Sequence, residues 1–302
     1  MKYVVSGGAG FIGSNIVKLL VKNGHEVEII DNLHTGKKDN IKEVFERIDF
    51  HQIDIRNKDD LMKIIQNCDG VFHQAALTAV PESFEKPQEY HDVNVIGTKN
   101  IFEIAKKQNI RVVYASSSSV YGDVKNIPIT ENSDRNPINP YGKTKLDDEI
   151  LAEELSKNNL QLIGLRYFNV YGIGQIGSYA GVIKKFLENI KNKQSFTING
   201  EGNQIRDFIH VEDIAKANLA VMESQIKHGF FNIGTGVGTS INELAKLMIE
   251  ISNHQEGIKH GPVLQGDVKI SQANMEHTKK LLNWNYEIDL KSGLTNLIHN
   301  YS

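Results

Sequence analysis

The order of apolar and helical segments along these 302 residues predicts an α/β fold, a doubly wound parallel sheet with a smaller region behind it. Three observations carry that expectation. Short apolar runs bounded by turn residues recur at 2–5, 26–30, 49–53, 70–73, 111–115 and 161–165. Stretches with helical periodicity, at about 12–22, 58–66, 92–108 and 140–157, alternate with them. The first run also enters a glycine-rich turn that opens straight into a helix. Strict strand–helix alternation needs crossover connections, so the strands run parallel and ligands gather at their carboxyl ends.

Taken in order, Lys2-Tyr3-Val4-Val5 is the first strand, and Ser6-Gly7-Gly8-Ala9-Gly10-Phe11-Ile12-Gly13 is the turn. Glycines at 7, 10 and 13 fit G-x-x-G-x-x-G, and those at 8, 10 and 13 fit G-x-G-x-x-G. Such a turn lets the backbone approach a pyrophosphate at the positive end of the following helix. The second strand, Glu26 to Ile30, ends in Asp31, where a carboxylate accepts hydrogen bonds from the adenosine ribose and repels a 2′-phosphate. Lys37 and Lys38 offer the opposite charge, but Asp31 argues for NAD. Further on, Asn139-Pro140 reads as a helix start, with Asn as N-cap and Pro at the first helical position. Tyr141 and Lys145 then share a helix face, and a cation beside a phenol favours the phenolate needed of a general base.

Past about 170 the rhythm weakens into glycine-rich loops, Gly172 to Gly177 and Gly200 to Gly202. An interleaved division is expected: a nucleotide-binding domain at 1–169 to which 205–234 returns, and a substrate-binding domain from 170–204 and 235–302, with helices at 180–192 and 240–252. A formal charge of −3 without a basic block gives no reason to expect nucleic acid. No apolar run reaches the roughly 18 residues of a membrane helix. The N-terminus enters a strand at once, so no signal peptide and a cytoplasmic location are expected. The single cysteine, Cys68, excludes an internal disulfide. None of the 11 histidines is paired at helical spacing, so no metal site is expected.

Together these blocks resemble the extended short-chain dehydrogenase/reductase family, and within it the NAD-dependent sugar-nucleotide epimerases. The resemblance runs through the glycine turn, Asp54-Ile55-Arg56, His73-Gln74-Ala75-Ala76, Asn94-Val95-Ile96-Gly97-Thr98 and Ala115-Ser116-Ser117-Ser118-Ser119-Val120-Tyr121-Gly122. It continues through Tyr141 to Lys145, Arg166-Tyr167-Phe168-Asn169-Val170-Tyr171-Gly172, and Gly200 to Phe208. It implies a Rossmann-type domain holding NAD against Gly7, Gly10, Phe11, Ile12, Gly13, Asp31, Asn32, Asp54, Ile55, Gln74, Ala75, Ala76, Asn94, Tyr141 and Lys145. Catalysis would fall to Ser117, Tyr141 and Lys145: Tyr141 takes the C4 hydroxyl proton, Ser117 hydrogen-bonds that hydroxyl, and the C4 hydride passes to NAD. A UDP-sugar substrate would meet Ser117, Tyr141, Asn169, Arg206 and Lys269, with Arg206-Asp207 as a local ion pair the alternative for that arginine.

The reaction is narrowed by what stands beside Ser117. Related 4,6-dehydratases carry an acid pair there, and related decarboxylases a glutamate two residues before the motif tyrosine; here Ser118 and Ser119 fill those places. Without that carboxylate the chemistry is oxidation and return, so a UDP-glucose 4-epimerase-like activity is expected. N-acetylated hexoses become acceptable if Ser271 walls the sugar pocket. A UDP-glucuronate 4-epimerase is the rival, disfavoured for want of an extra arginine. A non-catalytic NAD-binding protein and a net oxidoreductase are the other classes. Departures include Ile173-Gly174-Gln175 for the usual Pro-Arg-Gln, Thr78 for a lysine, and Lys269 for an arginine. The resemblance also implies a homodimer through helices 92–108 and 140–157.

Overall fold

A computed structural model describes residues 1–157, 160–175, 181–263 and 266–301. The chain opens with β1 (Lys2–Ser6), α1 (Phe11–Lys22), β2 (Glu26–Ile30), β3 (Asp49–His51), α2 (Lys58–Ile65) and β4 (Gly70–His73). Two short helices, α3 (Val80–Glu85) and α4 (Pro87–Tyr90), precede a π-helical stretch at His91–Ile96 that runs into α5 (Gly97–Gln108). β5 (Arg111–Ser117), α6 (Pro140–Ser156) and β6 (Leu162–Tyr167) complete the alternation. The helix expected at 92–108 thus begins earlier and carries a wider-wound first part. The strand expected at 49–53 stops at His51, because the Ile53 amide turns back to the His51 carbonyl at 3.0 Å.

The later elements are β7 (Asn169–Tyr171), α7 (Val182–Asn192), β8 (Phe196–Asn199), β9 (Ile205–His210), α8 (Val211–Glu223) and β10 (Gly229–Ile233). β11 (Gly238–Ser240), α9 (Ile241–Ser252), β12 (Ile258–Gly261), β13 (Ile270–Ser271), α10 (Glu276–Leu282) and α11 (Leu290–Tyr301) follow. The glycine-rich loop expected from 172 to 177 is described only to Gln175, and the expected helix start at 180 also lies outside the described residues.

Seven parallel strands form the main sheet in the order β10-β6-β5-β4-β1-β2-β3. Alternation along β1 sends Val5 into one apolar layer, with Ile16, Leu20 and Ile214, and Val4 into the other, with Leu61, Ile101 and Val112. α1 packs with α8 on the first face, and α2, α5 and α6 cover the second. Fully burying each such aliphatic side chain is worth about 1.5–3 kcal/mol, so both faces anchor the sheet. The stretch 205–234 splits: β10 joins this sheet at its edge, while β9 pairs with β7, β11 and β13 in a second one. α7, α9 and α11 enclose a third core around Phe186, Phe196, Leu244 and Leu294. In it the Phe186 and Phe196 rings stack at 4.3 Å.

Candidate active site

The site is assembled where α6 meets the end of β5. Asn139 Oδ1 accepts the Gly142 amide at 2.8 Å and Pro140 occupies the first turn, which fixes the entry of the helix. A Cβ on Gly142 would lie 2.7 Å from the Ser119 carbonyl oxygen, so only glycine lets the helix rest directly on the serine turn. Tyr141 is half-buried, and its amide donates to Ser83 Oγ at 3.2 Å. Lys145 is 2% exposed, one turn further on the same face, with Nζ 3.3 Å from Asp148 Oδ2. Ser117 closes β5, buried, and its Oγ accepts the Ser119 amide at 3.1 Å. Ser118 and Ser119 lie in the single turn that follows, so no carboxylate occupies it.

The glycine turn sits at the carboxyl edge of β1. Gly7 adopts φ +70°, and a Cβ there would fall 2.7 Å from the Ala75 amide nitrogen; one on Gly13 would fall 2.1 Å from the Gly7 oxygen. Gly10 caps α1 without a side chain, and Phe11 and Ile12, both half-buried, begin the helix. Asp31, at the end of β2, accepts the Ala9 amide at 3.0 Å and the Leu33 amide at 2.8 Å. Burial raises its pKa, while those two bonds oppose the shift. Asn32 bonds Asp54 at 3.0 Å, and Arg56 grips the same carboxylate at 2.9 and 2.7 Å, which holds it down at about 2. Ile55 is buried beneath Gly97.

Gln74 donates to Asn218 and accepts from the Tyr167 hydroxyl at 3.1 Å; Ala75 and Ala76 follow it, half-buried. Asn94 is fully buried and engaged: it exchanges two bonds with the Leu77 backbone and donates to Thr144 Oγ1 at 3.0 Å. It therefore ties the exit of β4 to α6. Lys38 lies over the Phe45 and Phe50 rings, at 5.8 and 5.0 Å. A tightly turned glycine loop at a helix N-terminus, with a carboxylate closing the next strand, fits a dinucleotide without a 2′-phosphate.

The second region faces this edge. A Cβ on Gly174 would lie 3.7 Å from Phe11, so the loop after β7 reaches over the glycine turn. Asn169 is half-buried on β7. Arg206 does not pair with Asp207. Its guanidinium donates to the Ile205 and Val268 carbonyls, each at 2.7 Å, and pairs with Asp267. Asp207 is buried on a separate set of donors: the Thr235 amide and hydroxyl and the Gly236 and Ala273 amides. The Lys269 amide donates to Asp123 at 3.2 Å and its carbonyl accepts the Ile205 amide, which seats 266–271 beside β9. Ser271 is buried there.

Two buried polar networks escaped the sequence. Glu149, with no exposure, accepts Ser116 Oγ at 2.6 Å, Arg166 Nε and Nη2 at 2.8 Å each, and Arg135 at 3.0 Å. Arg166 continues to the Tyr121 hydroxyl at 2.8 Å. The second runs from Ser6 Oγ through His73 to Thr98 Oγ1, at 2.6 and 2.8 Å. Nothing in spacing marks either, because the partners come from different strands and helices.

Residues 3–234 match the NAD dependent epimerase/dehydratase family. The chain is 34% identical over 305 residues to a UDP-glucose 4-epimerase of Lactobacillus helveticus, covering 94% of this chain and 92% of that one. The UDP-glucose 4-epimerase of Thermotoga maritima, solved with UDP-glucose, superposes with a TM-score of 0.95 at 33% identity, over 100% of this chain and 98% of that one. A UDP-N-acetylglucosamine 4-epimerase from Methanobrevibacter ruminantium, solved with UDP-N-acetylmuramic acid, gives 0.94 at 35% identity, over 99% and 97% of the two chains. This chain therefore belongs to the NAD dependent epimerase/dehydratase family.

Proposed function

We propose that the protein inverts C4 of a UDP-hexose, with UDP-glucose and UDP-galactose as first substrates and their N-acetylated counterparts as second. The observation that carries the reading is the serine turn: Ser117 leads into it, Ser119 lies against Gly142 at the start of α6, and no carboxylate stands in the turn to drive elimination. Bound NAD would supply the site with a reversible hydride acceptor. Ser117 Oγ would hold the C4 hydroxyl while the Tyr141 oxygen takes its proton, and Lys145 would supply the positive charge that an anionic phenol oxygen needs. With no carboxylate in the serine turn, the 4-keto sugar would take back hydride and proton. Its turning over between the two steps inverts the centre.

Asn169, Arg206 and Lys269 are the residues we assign to the nucleotide half. Arg206, fixed by two carbonyls and Asp267, would offer its remaining donors to a diphosphate. Purified protein incubated with UDP-glucose, UDP-N-acetylglucosamine and UDP-glucuronate, with products identified by NMR, tests the reading. The C4 epimer of UDP-glucose is expected, and inversion of UDP-glucuronate alone would transfer the assignment to the uronate. No epimer from any of the three would end it.

We further infer a cytoplasmic homodimer formed through 92–108 and 140–157. Ile96 and Ile150, on those segments, are 40% and 47% exposed. A monomer mass by light scattering at micromolar concentration would contradict it.

A further inference from the structure

Lys145 is shut away from water, where an unpaired ammonium is costly. Its partner is Asp148, less than one turn further along α6, with no exposure and Oδ2 at 3.3 Å. Asp148 stands seven residues after Tyr141, so the three side chains form one stripe of the helix. Its other oxygen, Oδ1, has no hydrogen-bond partner among the described residues. The Thr98 hydroxyl of α5 favours the charged carboxylate, and that hydroxyl also meets His73, which reaches Ser6 at the foot of the glycine turn. A file of buried polar groups thus runs from the glycine turn to Thr98, whose hydroxyl acts on the carboxylate of the ion pair, and the proton transfer described above makes no use of that carboxylate. For stability alone, a well-packed apolar pair would do as well as buried charges.

We propose that Asp148 is a positioning residue for Lys145: its buried carboxylate is the counter-ion that holds the ammonium on the face it shares with Tyr141. The inference rests on the role given to Tyr141 and Lys145 under Proposed function. It assigns the pair a pH response, because burial pushes the Asp148 carboxyl up to about 7 while Lys145 and Thr98 pull the other way. The groups around it do not share that response. His73 of β4 is held down at about 3 by burial and by Lys145, so it stays neutral. Tyr114 of β5 is raised well above the usual phenol range, and Arg166 of β6 is committed to Glu149. On α6 itself, Asp147 pairs outward with Lys143 at 2.7 Å and Glu149 takes Arg166 and Arg135. Above neutrality Asp148 is therefore a carboxylate facing the ammonium. Below it the acid protonates, and the site resembles an Asp148→Asn variant.

The test compares wild type, Asp148→Asn, Thr98→Val and Asp147→Asn between pH 6 and 9. Two readouts are taken: NAD affinity by calorimetry and the rate of UDP-glucose epimerisation. Asp148→Asn is expected to match wild type at pH 6 and to bind NAD about tenfold more weakly at pH 9, the order of one charged hydrogen bond, with the rate diverging in parallel. Thr98→Val should move the same way by about threefold, since it removes the hydroxyl that steadies the carboxylate together with its bond to the neutral His73. Asp147→Asn makes the same charge change on the solvent side and should follow wild type throughout. A uniform loss at every pH, or no loss, would reduce Asp148 to a structural group and overturn the proposal, as would an equal shift in Asp147→Asn. If Asp148→Asn fails to fold, Thr98→Val decides alone, and a flat difference from wild type overturns the proposal. A wild type that shows the NAD pattern but epimerises nothing would instead refute the proposed function and leave the positioning role standing.

Discussion

The two halves of the cleft hold their polar side chains in different ways. On the main-sheet side, groups around α6 are locked by buried partners: Lys145 by Asp148, Arg166 by a Glu149 with no exposure, and Asn94 by the Leu77 backbone. On the other side, Arg206 leans on two carbonyls and on Asp267, whose side chain is 32% exposed, and the neighbouring strand β13 has two residues. A buried network is rigid because none of its members can exchange a partner for water. A half-exposed pair gives way cheaply. The contrast suits a site that must fix a proton path within tenths of an ångström while admitting and releasing a large, charged ligand.

The contrast can be broken from either side. Tyr141→Phe removes the assigned base and should lower turnover by about 10³-fold or more while NAD still binds, as read by product NMR beside calorimetry. Undiminished turnover would displace the base from α6. Glu149→Gln leaves the buried Arg166 without its counter-charge and should destabilise the fold by about 3–5 kcal/mol in urea titrations. A loss below about 1 kcal/mol, the size of an exposed pair, would show that the network is not what stiffens this half.

Arg206→Lys keeps the charge but gives up the planar fork. It should raise KM for the sugar nucleotide about tenfold, more than it lowers kcat. The smallest effect is expected at the rim of the cofactor edge. Arg56 depresses the Asp54 carboxyl to about 2, so the pair's stabilisation is complete above pH 4 and fades as the pH falls toward 2. Arg56→Ala should flatten that acid dependence. With both side chains partly in water, the change at neutral pH should stay under about 1 kcal/mol by thermal or urea unfolding.

The legible parts were those written locally. The glycine turn, the strand ending in Asp31, and the Asn139-Pro140 start of α6 each declare their backbone geometry within a few residues. Apolar alternation likewise gave most strand and helix positions to within two residues. The π-helical winding at 91–96 gave no sign, since its residues carry the same apolar periodicity as an α-helix. Nor did the split at 205–234, because an apolar strand pattern does not say which of two sheets it joins.

By itself, then, the order of residues determined the α/β winding, the dinucleotide-type turn and the helix face shared by Tyr141 and Lys145, all properties of spacing along one segment. The tertiary structure alone decided that Asp267 and not Asp207 holds Arg206, that Glu149 neutralises Arg166 across 17 positions, and that Asp148 and Lys145 are buried together. Those pairings depend on which charges are deprived of water together, and burial belongs to the packed chain.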